Sequence, residues 1–419
     1  MSNNKNLIIT GGVGFIGTYL TKALKDKYQR VIIIDKDQEK ISELFLKYKE
    51  AKFDNIELYE QDLTQENNFK NLIKELEETE EIFDIIHLAS TVGPENITVQ
   101  NCQNDFNLNF TIYKILKDSN LKINKFIFTS SSEVYNQKEE IILKENEPVS
   151  FSVMSPEDPN EPFSLRALYK TQKLQGELLF LNLAKEKGFK TIVTRLFNVI
   201  GKGQKEGFVF SNFMKVLRNN IEVLKNSFSN IQEDKDIQEI LNKQEIKLND
   251  TDKEILLSKF QKFQIYGTGD QVRVFLAIED LVNIFTLLLD YNKEPKKLKN
   301  KNNQILNNII NIANLSNEMS IKNLAIEINK VFFDIINSSI EELIKQKELK
   351  PNEMVILKYL SLIIDNFSLE DFLEIHDEIS QTDYTKIGDN KRLPLVYKLY
   401  NILKYKPELT IQNIIYRTL

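Results

Sequence analysis

The chain reads as an α/β protein with a doubly wound parallel sheet, backed by a smaller C-terminal lobe. Two observations carry this. Short apolar runs at 7–10, 31–35, 56–59, 82–88, 126–130 and 191–196 alternate with stretches of helical periodicity, and strands separated by helices join as right-handed βαβ units into a sheet covered on both faces. The first run also enters a glycine-rich turn, Thr10-Gly11-Gly12-Val13-Gly14-Phe15-Ile16-Gly17.

Taken in order, the run Leu7-Ile8-Ile9 is the first strand. Gly11 permits the tight strand-to-helix turn, Gly14 lets backbone approach a pyrophosphate, and Gly17 lets the next helix pack closely, its N-terminal N–H groups facing the phosphates. An amphipathic stretch at 18–27 follows, then a second apolar run, Val31-Ile32-Ile33-Ile34, that ends in Asp35. This is the context a Rossmann-type dinucleotide turn requires. A carboxylate at 35 accepts both ribose hydroxyls and repels a 2′-phosphate, so the expected cofactor is NAD rather than NADP.

Composition narrows the rest. With 419 residues, 42% hydrophobic and 28% charged, the chain is long enough for two lobes. Its formal charge of −6, without a basic block interleaved with aromatics, argues against nucleic acid as a partner. One cysteine, Cys102, and two histidines, His87 and His376, argue against a disulfide framework and against zinc chemistry. Residues 1–6 are polar and lead straight into the first strand, and runs such as 281–289 fall short of the roughly 20 residues that span a bilayer. The expectation is a cytoplasmic protein without membrane association and without a metal.

The strands place one domain at 1–198. Beyond it the pattern loosens: 208–219 reads as helical, 220–262 is charged, glycine-free and helix-forming, 263–278 is strand-like around Gly267 and Gly269, and 331–385 is again long, charged and helical. The stretches 220–262 and 331–385 read as insertions into a smaller lobe within 199–419, serving packing or oligomer contacts.

The second informative site follows the strand Lys125-Phe126-Ile127-Phe128. It is Thr129-Ser130-Ser131-Ser132-Glu133-Val134-Tyr135. A serine run after a strand is ordinarily a turn or a helix cap. Further on, Arg166-Ala167-Leu168-Tyr169-Lys170-Thr171-Gln172-Lys173 puts Tyr169 and Lys173 four apart, on one helix face. A phenol with an ordinary pKa of about 10 is a poor base at neutral pH, and a neighbouring ammonium and an oxidised nicotinamide both favour its phenolate. Lys173 can tune Tyr169 and also hold the cofactor ribose.

The ordered series of glycine turn, acidic strand end, serine cluster and Tyr/Lys pair resembles the extended short-chain dehydrogenase/reductases that modify nucleotide sugars. The resemblance covers most of the chain outside the two insertions. The family's TGGxGFIG is matched throughout 10–17, which implies that Gly11, Gly14, Phe15, Ile16 and Gly17 line the cofactor. Its acidic ribose ligand falls on Asp35 and the Asp-Leu pair beside the adenine on Asp62-Leu63. Its His-Leu-Ala-Ala segment along the cofactor falls on His87-Leu88-Ala89-Ser90, which makes His87 a strand residue rather than a base, and its helix asparagine falls on Asn109. Arg195-Leu196-Phe197-Asn198-Val199-Ile200-Gly201 resembles Arg-Pro-x-Asn-Val-Tyr-Gly, implying that Asn198 touches a sugar-nucleotide diphosphate. Tyr266-Gly267-Thr268-Gly269-Asp270-Gln271-Val272-Arg273 resembles the segment containing G-x-G-x-Q-x-R and implies Arg273 near the diphosphate or the sugar; Arg392, before Leu393-Pro394, resembles a late phosphate-contacting arginine.

In this family C4 of the hexose is oxidised to a 4-keto intermediate, the tyrosine taking the hydroxyl proton. The resemblance implies catalytic roles for Tyr169, Lys173, Ser131, Ser132 and Glu133, with Ser131 bridging the C4 oxygen and Tyr169. Ser132 stands where 4,6-dehydratases carry an aspartic acid, and Glu133 with Arg273 resembles the pair of UDP-glucuronate decarboxylases. Epimerase and decarboxylase chemistry lead, with a C4 dehydrogenase or a 4,6-dehydratase as alternatives and a non-catalytic NAD-binding scaffold or sensor as the rival of another class. Asn136, Ile200 and Lys202 depart from the family's glycine, tyrosine and proline, and the insertions flank the substrate lobe. A homodimer paired through helices that include the Tyr/Lys helix is expected.

Overall fold

A computed structural model of the chain describes residues 5–135, 142–145, 165–243, 248–291, 308–346, 348–376 and 393–419. The fold divides into two compact units, one of residues 1–200, 274–318 and 391–409, the other of 201–273, 319–390 and 410–419.

The first unit is built on seven parallel strands: β1 (Lys5–Thr10), β2 (Val31–Asp35), β3 (Ile56–Glu60), β4 (Ile82–His87), β5 (Lys122–Ser131), β6 (Lys190–Leu196) and β7 (Ile309–Ile312). They lie in the order β7-β6-β5-β4-β1-β2-β3. Between them run the helices α1 (Phe15–Leu24), α2 (Gln38–Glu50), α3 (Glu66–Glu78), α4 (Val99–Asp118) and α5 (Leu165–Lys187). The order reverses between β1 and β4, where Thr10 pairs with His87, and in doubly wound sheets ligands sit beyond the strand ends at that reversal.

The strands divide their side chains between two cores with a period of two. Leu7, Ile9, Val31, Ile33, Ile86 and Ile127 face Leu20 and Leu24 of α1 and the apolar side of the helix Ile278–Asp290. Ile8, Ile32, Ile34, Phe83, Ile85, Phe126 and Phe128 face α3, α4 and α5 through Leu72, Leu76, Ile112, Phe180 and Leu183. Lys125 is a charged exception inside β5: fully buried, it donates from Nζ to the carbonyls of Leu288, Leu289 and Tyr291 at 2.8, 2.6 and 2.9 Å. These are the orphan carbonyls of a helix C-terminus, where a cation is stabilised. Burial nonetheless lowers its pKa to about 8.

The six strands read from the sequence are present, with ends that agree to within four residues. The seventh, β7, was not among them, and it draws 274–318 and 391–409, which sequence patterning leaves in the second lobe, into the first unit. Its centre is the buried Asn311, which breaks the apolar pattern that marks a strand. The polarity is satisfied from far along the chain: Asn311 Oδ1 accepts from the Tyr135 hydroxyl at 2.7 Å, its Nδ2 donates to Leu143 O at 2.9 Å, and its backbone N donates to Glu145 Oε1 at 3.2 Å.

The second unit holds most of both charged stretches. The helix Val209–Asn230 runs on past residue 220, and Lys235–Asn242 and Asp250–Ser258 follow; Ile321–Ile344 and Pro351–Asn366 supply the other stretch. The two pack on each other: Leu248 N donates to Asn366 Oδ1 at 3.1 Å, and Lys358 Nζ donates to Leu241 O. Phe260, Phe332 and Phe372 meet at ring separations of 5.5–5.8 Å. The strand Leu373–His376 pairs in parallel with Phe263–Tyr266. No helix among the described residues is long and apolar enough to cross a membrane.

Candidate functional site

The turn after β1 is shaped by what its glycines lack. Gly11 has φ +71°, and a Cβ there would lie 2.7 Å from the backbone nitrogen of Ala89. Gly17 touches the turn itself, since its Cβ would fall 2.5 Å from Gly12 Cα. A Cβ on Gly14 would meet only Gly11 O, at 3.2 Å, so that face of the turn is open. Gly14 is also the N-cap of α1 and provides no side-chain acceptor. The first N–H groups of α1, from Phe15 onward, thus keep the positive end of the helix available to an anion.

Asp35 ends β2 beside this turn. Its Oδ2 accepts from Val13 N at 3.3 Å and its Oδ1 from Lys36 N at 2.8 Å and Asp37 N at 3.3 Å, which fixes the carboxylate at the strand end. An open turn, an uncapped helix terminus and a fixed carboxylate fit a dinucleotide. Farther along the edge, Asp62 accepts from Thr64 N and Oγ1 at 3.0 and 2.8 Å, and Leu63 is buried.

On the other side of the reversal, His87 is fully buried at the end of β4. The Thr10 hydroxyl lies 2.6 Å from its Nδ1, and its Nε2 lies 3.0 Å from Asn109 Oδ1. Burial lowers its pKa to about 3, partly offset by the bond to Asn109. The imidazole is a neutral strut rather than a base. Asn109 is occupied here and against α5, its Nδ2 lying 3.5 Å from Gln172 O. Leu88, Ala89 and Ser90 follow, half-buried; Ser90 Oγ donates to Asp105 Oδ2 at 2.8 Å, and Asp105 also accepts from Thr91 N.

The serine cluster lies at the end of β5. Ser131 Oγ accepts from Glu133 N at 3.2 Å and lies beside the Tyr169 phenol, while Ser132 is buried within a short 3₁₀ turn. Tyr169 is half-buried with its hydroxyl end enclosed, and burial holds the phenol well above its ordinary range; the neighbouring Ser131 hydroxyl works in the opposite direction, and Glu133 and Asp105 add to the rise. Lys173 is buried, its Nζ donating to Thr129 O at 3.2 Å and standing 5.8 Å from the Tyr169 ring centre. Desolvation lowers its pKa to about 8, against the pull of Asp105 and Glu177. The ammonium expected to favour the phenolate is directed at a backbone carbonyl, and desolvation outweighs it on the tyrosine.

One continuous line therefore joins the glycine turn, through Ala89 and Ser90, to α5 and the serine cluster, all in the first unit. Asn198 also lies there, just past β6: exposed, at φ +21°, its Nδ2 donates to Val274 O at 3.0 Å. Arg273 lies in the second unit, after the positive-φ glycines 267 and 269, with Nη1 donating to Val272 O at 2.9 Å. Arg392 and Asn136 lie outside the described residues. The buried carboxylates Asp105 and Glu177 were missed by sequence reasoning. Glu177 carried a signal in its spacing, four residues beyond Lys173; Asp105 carried none. Among the described residues, no three His, Cys, Asp or Glu side chains are grouped to hold a metal ion.

Residues 7–239 match the model of the NAD dependent epimerase/dehydratase family. The chain is 25% identical over 298 residues to a dTDP-D-glucose 4,6-dehydratase of Dictyostelium discoideum, a match that covers 68% of this chain and 57% of that protein. It is 23% identical over 304 residues to UDP-glucuronic acid decarboxylase 1 of Danio rerio, covering 71% and 57%. The matched region thus spans little more than half the length of these relatives. Among solved structures, the chain resembles a UDP-glucuronic acid 4-epimerase from Bacillus cereus determined with UDP-glucuronic acid and NAD, with a TM-score of 0.59, 18% identity, and coverage of 99% and 97%. At that identity the likeness speaks for the fold.

Proposed function

The chain belongs to the NAD dependent epimerase/dehydratase family, and from this premise we propose that it modifies a nucleotide sugar by oxidising C4 of the hexose to a 4-keto intermediate, as an epimerase or a UDP-glucuronate-decarboxylase-like enzyme. The observation that carries the reading is Tyr169 held against Ser131 with Lys173 one helical turn on. The glycine turn, Asp35, Asp62-Leu63 and Leu88-Ala89-Ser90 would hold NAD, which would supply the hydride acceptor and a cationic ring that favours a phenolate.

The chain's own residues then divide the work. Ser131 bridges the C4 hydroxyl and Tyr169, and Tyr169 takes the proton. Lys173 faces the tyrosine ring and would hold the cofactor ribose, and Asn109 braces α4 against α5. Asn198, Arg273 and Arg392 bind the nucleotide sugar. If the substrate carries a C6 carboxylate, the ketone makes it a β-keto acid able to lose carbon dioxide, with Glu133 and Arg273 serving that step; with or without that loss, the hydride removed in the first step returns to the ketone, on its opposite face in an epimerisation. Ser132 offers no acid to protonate a departing hydroxyl, which sets a 4,6-dehydratase behind these two even though a relative bears that name. The intact Ser131, Tyr169 and Lys173 set also favours an enzyme over an NAD-binding scaffold or sensor. The exposed Phe106 and Phe110 of α4 and Leu178 of α5 support a homodimer paired through these helices, and the unpaired Cys102 accords with the cytoplasm.

The test is a panel of UDP-, GDP-, CDP- and dTDP-sugars read by product mass. Loss of carbon dioxide marks a decarboxylase, loss of water a dehydratase, and loss of two hydrogens a dehydrogenase; unchanged mass with an altered NMR spectrum marks an epimerase. Tyr169→Phe is expected to keep NAD and lose turnover by about 10²–10⁴-fold, the range for a positioned acid–base group. A fully active Tyr169→Phe protein overturns the catalytic assignment.

A further inference from the structure

We propose that Glu177 is a positioning residue for this site: together with Ser130 and Arg195 it seats α5 on the end of β5 in the register that brings Tyr169 to Ser131 and Lys173 to Thr129, and its negative charge faces the Lys173 ammonium. The proposal rests on the reading of Tyr169 and Lys173 as the reacting pair.

Residues 169, 173 and 177 are one turn apart and share a face of α5. Each meets one of the last three residues of β5. Tyr169 faces Ser131, Lys173 donates to the carbonyl of Thr129, and Ser130 Oγ donates to Glu177 Oε1 at 2.5 Å. The helix lies so close because residue 176 is glycine: a Cβ there would be 2.3 Å from the Phe128 ring.

Arg195 anchors the third contact. It sits directly opposite Ser130 on β6 and holds Glu177 with two bonds, Nε to Oε1 at 2.9 Å and Nη2 to Oε2 at 2.7 Å. Both side chains are less than 5% exposed. The next strand places Asn311 opposite Arg195, and the guanidinium lies 4.7 Å from the Tyr135 ring centre. A carboxylate buried this deeply is costly unless paired, so Glu177 can occupy the position only with Arg195 in place.

The charge has a second use. From α5, Tyr169 and Glu177 face Lys173; from α4, Asp105; from β4, the neutral His87; from β5, the Thr129 carbonyl and the Phe128 ring, 5.7 Å from Nζ. Burial brings the ammonium's pKa to about 8, and Asp105 and Glu177 are the groups that oppose it. Without Glu177 the lysine loses one of two compensating charges and deprotonates nearer neutrality.

The full chain with NAD bound, carrying lysine labelled with ¹³C at Cε, tests this. The Lys173 signal, assigned by its loss in Lys173→Met, is followed through a pH titration. The parent is expected to titrate near 8, and Glu177→Gln, a near-isosteric change, to lower that midpoint by about one pH unit or more. The alkaline limb of kcat on a turned-over nucleotide sugar moves with it. A role confined to packing would lower melting temperature and kcat at every pH and leave the midpoint in place, so an unchanged midpoint in folded Glu177→Gln overturns the proposal. Should that variant not fold, Glu177→Asp shortens the side chain and draws its charge back from Lys173: a lower midpoint supports the proposal, and an unchanged one overturns it. A midpoint that moves in a protein turning over no nucleotide sugar upholds the contact between Glu177 and Lys173 while the functional reading above falls.

Discussion

The turn after β1 and the end of β5 solve the same problem with different materials. In each, a helix must come close to a strand end, and a glycine makes this possible: Gly17 against Gly12 in the first, Gly176 against Phe128 in the second. The first is otherwise made of backbone, with free helix N–H groups and one carboxylate fixed by three backbone N–H groups. The second is made of buried ionisable side chains, Lys173, Glu177 and Arg195, whose charges are balanced against desolvation. A backbone site is stiff and indifferent to pH, whereas a site of buried charges is adjustable and sensitive to it.

At neutral pH the largest effect expected from this contrast is on stability. A Cβ at residue 17 meets backbone, which cannot yield, and one at residue 176 meets the tip of the Phe128 side chain, which can shift as a whole. Gly17→Ala is therefore expected to cost about 3 kcal/mol and Gly176→Ala about 1 kcal/mol, the two ends of the usual overpacking range. Urea unfolding of the pair measures this, and the reverse order would break the contrast.

His87 stands between the two regions, bonded to Thr10 on one side and to Asn109 on the other. Its folded pKa of about 3 lies below its ordinary 6.5, so the unfolded chain takes up the proton first as pH falls. The stability that neutral His87 contributes is complete above about pH 6.5 and is lost between there and pH 3, at about 1.4 kcal/mol per pH unit. Unfolding free energies between pH 7 and pH 4 should fall less steeply in His87→Gln than in the parent. Parallel slopes would show that the acid sensitivity arises elsewhere.

The effect confined to cofactor binding belongs to Asp35. Asp35→Asn removes a charged acceptor, for which a loss of about 1.4 kcal/mol, roughly tenfold in NAD affinity, is expected. Discrimination against NADP should narrow, and the Lys173 titration should stay where it is. Calorimetry with both cofactors measures the first two, and a shifted Lys173 midpoint would show that the two regions are not separable.

The same division explains what was legible in advance. The six strand runs, the NAD turn and the Tyr169/Lys173 spacing are local patterns, each dictated by sterics or periodicity within a short span: a positive φ at Gly11, a close approach at Gly17, one helix face for residues four apart. The serine cluster was legible as a place but not as a set of bonds, because Ser130 and Ser131 look alike until α5 gives one a carboxylate and the other a phenol. The seventh strand was hidden by Asn311, whose polarity is tolerable only where Tyr135, Leu143 and Glu145 converge on it.

Chain order alone thus establishes the doubly wound frame, the cofactor turn and the family, since these follow from φ/ψ limits and side-chain periodicity that act within a few residues. Three-dimensional packing assigns the protonation of the site. Whether Tyr169, Lys173 and His87 carry charge depends on desolvation and on partners tens of residues away, Asp105, Glu177 and Asn109 among them, and no local pattern encodes how deeply a group will be buried or beside what.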